Sequence, residues 1–218
     1  MADRKQEILD AALELADDKG LEAVSMRALA ERTGVTPMAL YPHVGSKAAL
    51  LDGMLGRVIS QMVADAEPLP GAGVDWRERL RMLLRGARQL AHRHPWMAAL
   101  AFSRPSTTAY SAGGADLFYS TLLDASVPPA DVPRMERLLT TLALGYGASE
   151  VGGRFTRAES DIRARRGLLG DVTLPGHKAL IRWLEAPVDW DAEFEADVDD
   201  LVRLVEAAAA RGSVPDEQ

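Results

Sequence analysis

The chain has 218 residues, of which 47% are hydrophobic and 26% charged, and it contains no cysteine. This composition is that of a globular protein with one good core or two small ones, and the lack of cysteine excludes disulfides, thiolate zinc sites and a cysteine nucleophile. The net charge of −7 argues against a broad DNA-binding surface, but residues 185–218 alone carry eleven acidic residues and two arginines, a net −9 that leaves +2 for residues 1–184.

The amino-terminal segment, MADRKQEILDAALELADDKG, is charged throughout and lacks the apolar run of a signal peptide. The longest apolar tract, LLTTLALGYGA at 138–148, is much shorter than the ~20 residues that a membrane-spanning helix needs. We therefore expect a soluble cytoplasmic protein with no membrane partner.

Helical periodicity recurs along the chain, whereas no segment alternates for long with the period of a strand. The sequence thus predicts an all-α protein of about nine or ten helices. The first helix carries Ile8, Ala12 and Leu15 on one face and stops before Gly20. Ser25 is the predicted cap of the second helix.

The stretch RTGVTPMALYPHVGSK, residues 32–47, predicts a turn, a very short helix, a second turn and the start of a longer helix. Gly34 supplies the left-handed conformation that a sharp turn needs. Thr36 is expected to cap the short third helix with its hydroxyl. Pro37 then occupies the first helical position, where a missing N–H costs nothing.

The second proline of this stretch predicts the end of the third helix. Pro42 cannot donate a hydrogen bond to a carbonyl in the preceding turn, and it disfavours the helical conformation at Tyr41. The third helix is therefore expected to span little more than residues 37–42. Ser46 is the predicted cap of the fourth helix, which begins at Lys47.

Beyond the fourth helix the sequence predicts a larger helical body. The segment EPLPGAG at 67–73 interrupts the helical pattern, and residues 156–175 are expected to form an arginine-rich loop. The remaining predicted helices run from Asp75 to HRHP, through a short segment around Trp96, through ADLFYSTLLDA, from about 131 to 155, through GHKALIRWLEA and from 189 to 211.

Enzymatic motifs are lacking. His92 and His94 lie two residues apart, and so on different helix faces, and no carboxylate completes a metal site. There is no P-loop, dinucleotide fingerprint or nucleophile elbow. The acidic pairs Asp17–Asp18 and Asp199–Asp200 are interpreted as solvated charge. We predict no catalytic residue, no metal and no cofactor.

The helix–turn–helix pattern has two interpretations. Any helical protein turns corners with proline and glycine, so one interpretation is an all-α small-molecule-binding or scaffolding dimer that does not bind DNA. The other is a DNA-binding domain. Met38, Ala39 and Tyr41 favour it, because a turn that served only the fold would be expected to carry charged residues at these positions. Lys47 favours it too, because it stands at a helix start that suits a phosphate. Residues 1–50 hold six basic and eight acidic residues, so any DNA contact must rely on a few cations.

Two longer segments, ILDAALELADDKGLEAVSMRALAERTGV and ALYPHVGSKAALLDGML, contain the pattern Leu-Tyr-x-His-Val-x-x-Lys. Through them, residues 4–64 resemble the DNA-binding domain of the tetracycline-repressor (TetR) family of bacterial regulators. The resemblance implies a homodimer that reads a palindromic operator, with residues 1–65 as the DNA-binding domain and 66–218 as the effector-binding and dimerisation domain. Pro42 departs from the aromatic or polar residue usual at its position.

The resemblance also implies which residues contact DNA. Arg27 would contact a base edge or a phosphate, and the start of the third helix would face the major groove. A guanidinium can donate two hydrogen bonds to one guanine, and the apolar Met38 and Ala39 can contact a thymine methyl group. The residues so implied are Arg27, Thr36, Pro37, Met38, Ala39, Tyr41, His43 and Lys47, the last three on the DNA backbone.

The segment DWRERLRMLLRGARQLAHRHPWMAALAFSRP resembles the corresponding part of the tetracycline repressors. Where those proteins bind drug and metal with polar and chelating side chains, this chain has apolar ones at Val63, Leu83, Ala87 and Leu100. A tetracycline–magnesium complex is therefore not expected, and an apolar or aromatic effector is. The cavity residues proposed, each of which could instead belong to the core, are Met62, Leu83, Trp96, Phe102, Phe118, Tyr119 and Tyr146.

The predicted long helices 131–155 and 189–211 are candidates for a four-helix bundle between two subunits. The alternative is that their apolar stripes only fill the core of a monomer. The expected function is that of a ligand-released regulator, with repression as the default that the resemblance implies.

Overall fold

The computed structural model describes residues 2–66, 74–104, 109–155, 174–184 and 186–212. Those ranges hold ten α-helices, one short 3₁₀ turn at Leu21–Ala23 and no strand, which confirms the predicted all-α fold. The segment 67–73, and 156–175 except for its last two residues, lie outside the described residues. The helices are α1 (Ala2–Lys19), α2 (Met26–Thr33), α3 (Pro37–Val44), α4 (Lys47–Ala66), α5 (Trp76–Arg93), α6 (Met97–Ser103), α7 (Ala109–Asp124), α8 (Val132–Val151), α9 (Pro175–Leu184) and α10 (Trp190–Gly212).

The turn between α2 and α3 is built largely as the sequence predicts. The Ser25 hydroxyl accepts a hydrogen bond from the Ala28 amide at 3.1 Å, and Gly34 ends α2 in the left-handed region with φ 67°. The predicted Thr36 side-chain cap is wrong. The Ala39 amide, which such a cap would bind, instead donates to the backbone carbonyl of Thr36 at 3.0 Å.

Pro42 lies inside α3 and does not end it, contrary to the prediction. The fixed φ of proline is compatible with a helix, and its missing N–H removes one hydrogen bond near the helix end. Leu40 and Val44, four residues apart, are both buried and hold the last turn against the core. The Gly45 amide closes that turn on the Tyr41 carbonyl at 2.8 Å.

The helix predicted over 131–155 is shorter, since α8 ends at Val151. Gly153 adopts φ 73°, a left-handed conformation that breaks the helical hydrogen-bond register. The amides of Gly153 and Arg154 bond back to the carbonyls of Glu150 and Ser149, both at 2.9 Å. The glycines thus terminate the helix.

Two hydrophobic clusters fill the described structure. The first contains the apolar faces of α1–α4, with Leu90 from α5 and Trp96, Met97 and Leu100 from the α6 region. The second joins α5, α7, α8 and α10, with Phe194 almost fully buried. The first cluster thus extends past the predicted domain boundary at residue 65.

A ladder of ion pairs joins α5 to α10. Four arginines spaced along one face of α5 meet four acidic residues of α10 in antiparallel order. Asp199 is exposed, in keeping with its interpretation as solvated charge, but it also pairs with Arg81 across the two helices. Part of the acidity of the carboxyl-terminal helix is thus matched within the chain. The pairs are Arg77–Glu206 at 2.7 Å, Arg81–Asp199 at 3.0 Å, Arg85–Glu195 at 2.6 Å and Arg88–Asp191 at 2.6 Å.

No helix in the described ranges is long and apolar enough to cross a membrane.

Candidate DNA interface and effector cavity

The surface predicted to contact DNA is the outer face of α3 and the turn before it. Because Leu40 and Val44 point into the core, the opposite face of this short helix must turn outward. Met38 is 75% exposed. Residues 32–51 contain no acidic side chain, so nothing on this segment repels phosphates. The exposed residues at the start of the helix are Thr36, Pro37, Met38 and Ala39.

The start of α4 provides an anion-binding geometry beside α3. The Ser46 hydroxyl accepts from the Ala49 amide at 3.1 Å, as predicted. Gly45, with φ 74°, makes the turn. The amides of Lys47 and Ala48 have no carbonyl partner inside the helix, because the first turn of a helix lacks them. The exposed Lys47 ammonium therefore stands where backbone dipoles already attract a phosphate.

The other predicted DNA contacts are Tyr41, His43 and Arg27. Tyr41 is exposed on α3, whereas His43 is half-buried near its end. Arg27 is exposed in the first turn of α2 and pairs with Glu31 at 3.1 Å. Since an exposed ion pair stabilises little, this arginine can exchange its partner for a phosphate or a base.

A polar contact between the exposed Asp17 and two buried side chains, His94 and Trp96, links α1 to the end of α5. The Asp17 carboxylate accepts from Trp96 Nε1 at 2.7 Å and lies 2.8 Å from His94 Nδ1. Asp17 is itself exposed, in keeping with its interpretation as solvated charge, but the sequence did not reveal these two partners of its carboxylate. Arg104, which follows α6, links that segment to α4. It donates to Asp52 at 2.6 Å and to the Ala48 carbonyl at 3.0 Å.

A cavity of about 350 Å³ lies among α4, α5, α6, α7 and α8. Its walls contain three of the residues proposed for an effector pocket, Met62, Phe102 and Phe118. The other apolar wall residues are Leu55, Ile59, Ala87, Leu90, Met97, Ala101, Ala115 and Leu144.

The other four proposed pocket residues do not line this cavity. Leu83 lines a separate pocket of about 250 Å³ together with Met62. Trp96 is buried in the first cluster, where it makes the contact with Asp17. Tyr119 packs against the second cluster, and the Tyr146 hydroxyl donates to the Trp190 carbonyl at 2.9 Å.

One wall of the 350 Å³ cavity is polar, and all its charge comes from α8. Glu136, Arg137, Thr140 and Thr141 share this wall because residues four apart lie on one helix face. Burial raises the pKa of the Glu136 carboxyl above its ordinary value, although the Thr140 hydroxyl and nearby Arg137 act in the opposite direction. The sequence reasoning missed this wall because it selected aromatic and large apolar residues. The available signal was the spacing of these polar residues on one face of a largely apolar helix.

Within the described part of the chain, no three His, Asp or Glu side chains lie close enough together to bind a metal ion.

Two family profiles match the sequence. "Bacterial regulatory proteins, tetR family" covers residues 8–54, and "Tetracyclin repressor-like, C-terminal domain" covers residues 67–195. The first match contains α2, α3 and the start of α4, which form the surface described above.

Curated relatives are similar to the chain over different lengths. An "HTH-type transcriptional regulator" of Saccharopolyspora erythraea is 29% identical over 217 residues, which span 94% of this chain and 85% of that protein. The "HTH-type transcriptional repressor DrrR1" of Streptomyces coeruleorubidus is 39% identical over 98 residues, 45% of this chain and 35% of that protein.

Among solved structures, ActR of Streptomyces coelicolor shares the fold. Its complex with actinorhodin superposes with a TM-score of 0.76 at 22% identity, covering 94% of this chain and 97% of that one. Its apo form superposes with a TM-score of 0.77 at 21% identity, covering 96% of this chain and 97% of that one.

Proposed function

We propose, because the chain belongs to the tetR family of bacterial regulatory proteins, that it is a homodimeric transcriptional repressor released from a palindromic operator by a small apolar or aromatic effector. Members of this family are transcriptional regulators and not enzymes. In this proposal residues 1–65 bind DNA in the cytoplasm, and residues 66–218 bind the effector and form the dimer.

The observation that carries the proposal is the outward face of α3 beside the start of α4. A short helix with exposed Met38 and Ala39 fits the major groove, where apolar side chains meet thymine methyl groups. Lys47, at the amino end of α4, supplies a phosphate contact that positions the helix. Tyr41 and His43 lie on the same helix, and the exposed Arg27 on α2 is proposed as a further contact.

The effector acts through α4, because this helix belongs to both sites. Its first residue is Lys47, while Leu55, Ile59 and Met62 further along form cavity wall. A ligand that fills the cavity displaces this part of α4 and thereby moves its amino end. In a dimer the two reading helices must lie about 34–36 Å apart, or a multiple of this, to enter successive major grooves. A change in their separation releases the operator.

This mechanism requires reciprocal coupling. An effector shifts the equilibrium only through different affinities for the free and operator-bound states, and so the operator must weaken effector binding by the same factor. Equal effector affinity for the free and the operator-bound dimer would refute it.

The first experiment is selection of bound duplexes from a random oligonucleotide pool with the purified protein at moderate salt. An inverted repeat is the expected product, with an affinity that falls steeply as salt rises. Recovery of no sequence by a folded dimer would instead favour a small-molecule-binding dimer that does not read DNA.

A further inference from the structure

The charge of the 350 Å³ cavity is confined to one place. The wall residues contributed by α4, α5, α6 and α7 are apolar or glycine, and they include the aromatic rings of Phe102 and Phe118. The α8 wall adds a carboxylate, a guanidinium and two hydroxyls. A cavity that is apolar with a few convergent polar groups is the usual form of a small-molecule site. Its polar groups then fix which ligands are accepted.

Glu136 is the polar group that lacks a strong partner. Among the described residues, the only hydrogen bond to its carboxylate is a 3.3 Å contact from the Thr140 hydroxyl to Oε1. That hydroxyl also donates, at 3.0 Å, to the backbone carbonyl of Glu136 and so is shared. Within the described ranges no cation lies within ion-pair distance of the carboxylate.

The guanidinium on the same wall has a different environment. Arg137 is exposed, so water solvates it, whereas Glu136 is half-buried. A partly desolvated carboxylate without a cation is unfavourable, and burial accordingly raises its pKa. A ligand cation supplies what the wall lacks, since a charge-assisted hydrogen bond is among the stronger ones. An anionic ligand would instead face repulsion from the less solvated of the two charges.

We propose that the effector is an aromatic or otherwise apolar molecule carrying a protonated amine, and that the Glu136 carboxylate binds its ammonium group inside the α8 wall. This inference rests on the proposed function, because it assigns the chemical class of the ligand to the same cavity. Phe102, Phe118 and Met62 then cover the apolar body.

The test uses the full-length protein and three probes that differ only in one substituent: 9-(aminomethyl)anthracene, 9-anthracenemethanol and 9-anthracenecarboxylic acid. Binding is followed at neutral pH by the fluorescence of the anthracene ring. The amine is expected to bind about tenfold or more tightly than the alcohol, and the acid most weakly. The Glu136→Gln variant should lose that advantage of the amine and retain the affinity for the alcohol.

Arg134→Gln is the matched control, because Arg134 is an exposed arginine of the same helix that does not line the cavity. It should leave the preference for the amine intact. Equal affinity for amine and alcohol, no binding of the amine at its solubility limit, or a preference for the acid that Arg137→Gln abolishes would each overturn the inference. Circular dichroism of all three variants verifies that each is folded.

Operator release is measured separately, by gel shift with the selected duplex. If the amine binds in a Glu136-dependent manner and the operator stays bound, the result supports the proposed ligand class and contradicts release of the operator by the effector. If the alcohol binds as tightly as the amine and releases the operator, the result supports the proposed regulator and contradicts the proposed ligand class.

Discussion

Met38 and Glu136 both stand where folding alone would not place them. Met38 is a large apolar side chain that is 75% exposed, and Glu136 is a carboxylate that is half-buried beside apolar residues. Folding favours the opposite placement for each. Departures from the rules of folding are expected at functional sites. The two residues accordingly belong to the proposed DNA interface and the proposed cavity.

Lys47 and Met38 should differ in how they contribute to DNA binding. Lys47→Ala removes a phosphate contact, so affinity for operator and for random DNA should fall together. The slope of log affinity against log salt should decrease by about 1 per protomer. Met38→Ala removes an apolar base contact and should instead lower discrimination at one base pair, by about 1–3 kcal/mol. Titrations of operator, single-mismatch and random duplexes at several salt concentrations measure both.

Lys178→Ala is the control for lost charge, because this exposed lysine lies on α9 in the body of the protein. It should change neither affinity nor slope. If Lys47→Ala behaves in the same way, the proposed role of the α4 start is incorrect.

Glu136→Gln should make the protein more stable at neutral pH. Because burial raises the pKa of this carboxyl in the folded state, the stability it contributes is present below the ordinary carboxyl pKa of 4.5 and is lost as pH rises through the folded-state value. The variant avoids that loss, so its Tm should exceed that of the wild type by about 1–3 °C at pH 7. The difference should vanish as pH falls below about 4.5.

Thermal melts between pH 4 and 7 measure this difference, and Glu22→Gln, at an exposed position, serves as control. A lower Tm for Glu136→Gln at pH 7 would show that the carboxylate stabilises the fold. That result would contradict the proposal that this carboxylate lacks a partner until a ligand binds.

Single charged residues were the hardest feature to predict from the sequence. The helical pattern of an acidic residue does not reveal whether another segment brings a partner to it. Asp17 meets His94 and Trp96 across more than seventy positions of sequence, and Asp199 meets Arg81 across more than a hundred. Caps such as Ser25 were predictable because their partners lie within the same turn.

At the scale of elements, α3 shows that a strong local signal can be outweighed. Pro42 predicts a helix end, yet the helix continues to Val44 because burial of this residue and of Leu40 holds the last turn. Buried apolar side chains contribute about 1.5–3 kcal/mol each, which is comparable to the penalty for proline in a helix. The sequence predicted the helix and its first residue correctly, but it did not show whether side-chain burial or the proline penalty is the larger free energy.

The packing of α5 against α8 depends on a glycine. A methyl group at Gly147 would lie 2.7 Å from Ala91 Cβ and 3.1 Å from the Arg88 carbonyl oxygen. Gly147→Ala should therefore separate the helices and destabilise the protein by about 1–3 kcal/mol, as overpacked core positions do. For a chain of this size that corresponds to about 2–4 °C in Tm for each kcal/mol.

The comparison is with Gly86→Ala on the facing helix α5. There a methyl group would meet Met62 at an ordinary contact distance of 3.7 Å. This variant should be neutral or stabilised by up to about 1 kcal/mol, because alanine favours a helix. Thermal melts of both variants separate close packing from helix propensity. Equal melting temperatures would exclude close packing as the reason for the glycine.

At the scale of the molecule, both proposed domains contribute residues to the first hydrophobic cluster. Leu90, Trp96, Met97 and Leu100 belong to the cluster formed by α1–α4. The resemblance implied the division at residue 65, and the break in helical pattern at 67–73 agrees with it, but neither showed that α6 packs into the amino-terminal core. Because this packing continues into the cavity wall through Leu90 and Met97, the proposed DNA-binding helices and the proposed effector cavity share buried side chains.

The proposed dimer uses the outer faces of α8 and α10. The inner face of α10 is already buried in its own chain, so only the residues left exposed can meet a partner. Leu138 on α8 is 42% exposed and Leu204 on α10 is 37% exposed. A methyl group at Gly145 would meet nothing within 4 Å, so this part of α8 is open to close approach by another helix.

Leu138→Glu and Leu204→Glu should each separate the dimer into folded monomers. An exposed leucine contributes little to the monomer, whereas a carboxylate buried in the proposed interface without a cation beside it opposes association strongly. Operator affinity should fall when dimerisation is lost, because a monomer contacts only one half-site. Sedimentation equilibrium measures the association, and titration with whole and half operators measures the binding.

Leu123→Glu tests whether any exposed leucine gives this result, because Leu123 is 50% exposed near the end of α7, outside the proposed interface. It should leave both association and operator affinity unchanged. Because assembly links the two half-sites, the α8 and α10 variants should keep wild-type affinity for a half operator while they lose affinity for the whole one. Dimers that persist in both variants would place the subunit interface elsewhere. Monomers that still bind the whole operator as tightly as the wild type would show that the palindrome is not read by a dimer.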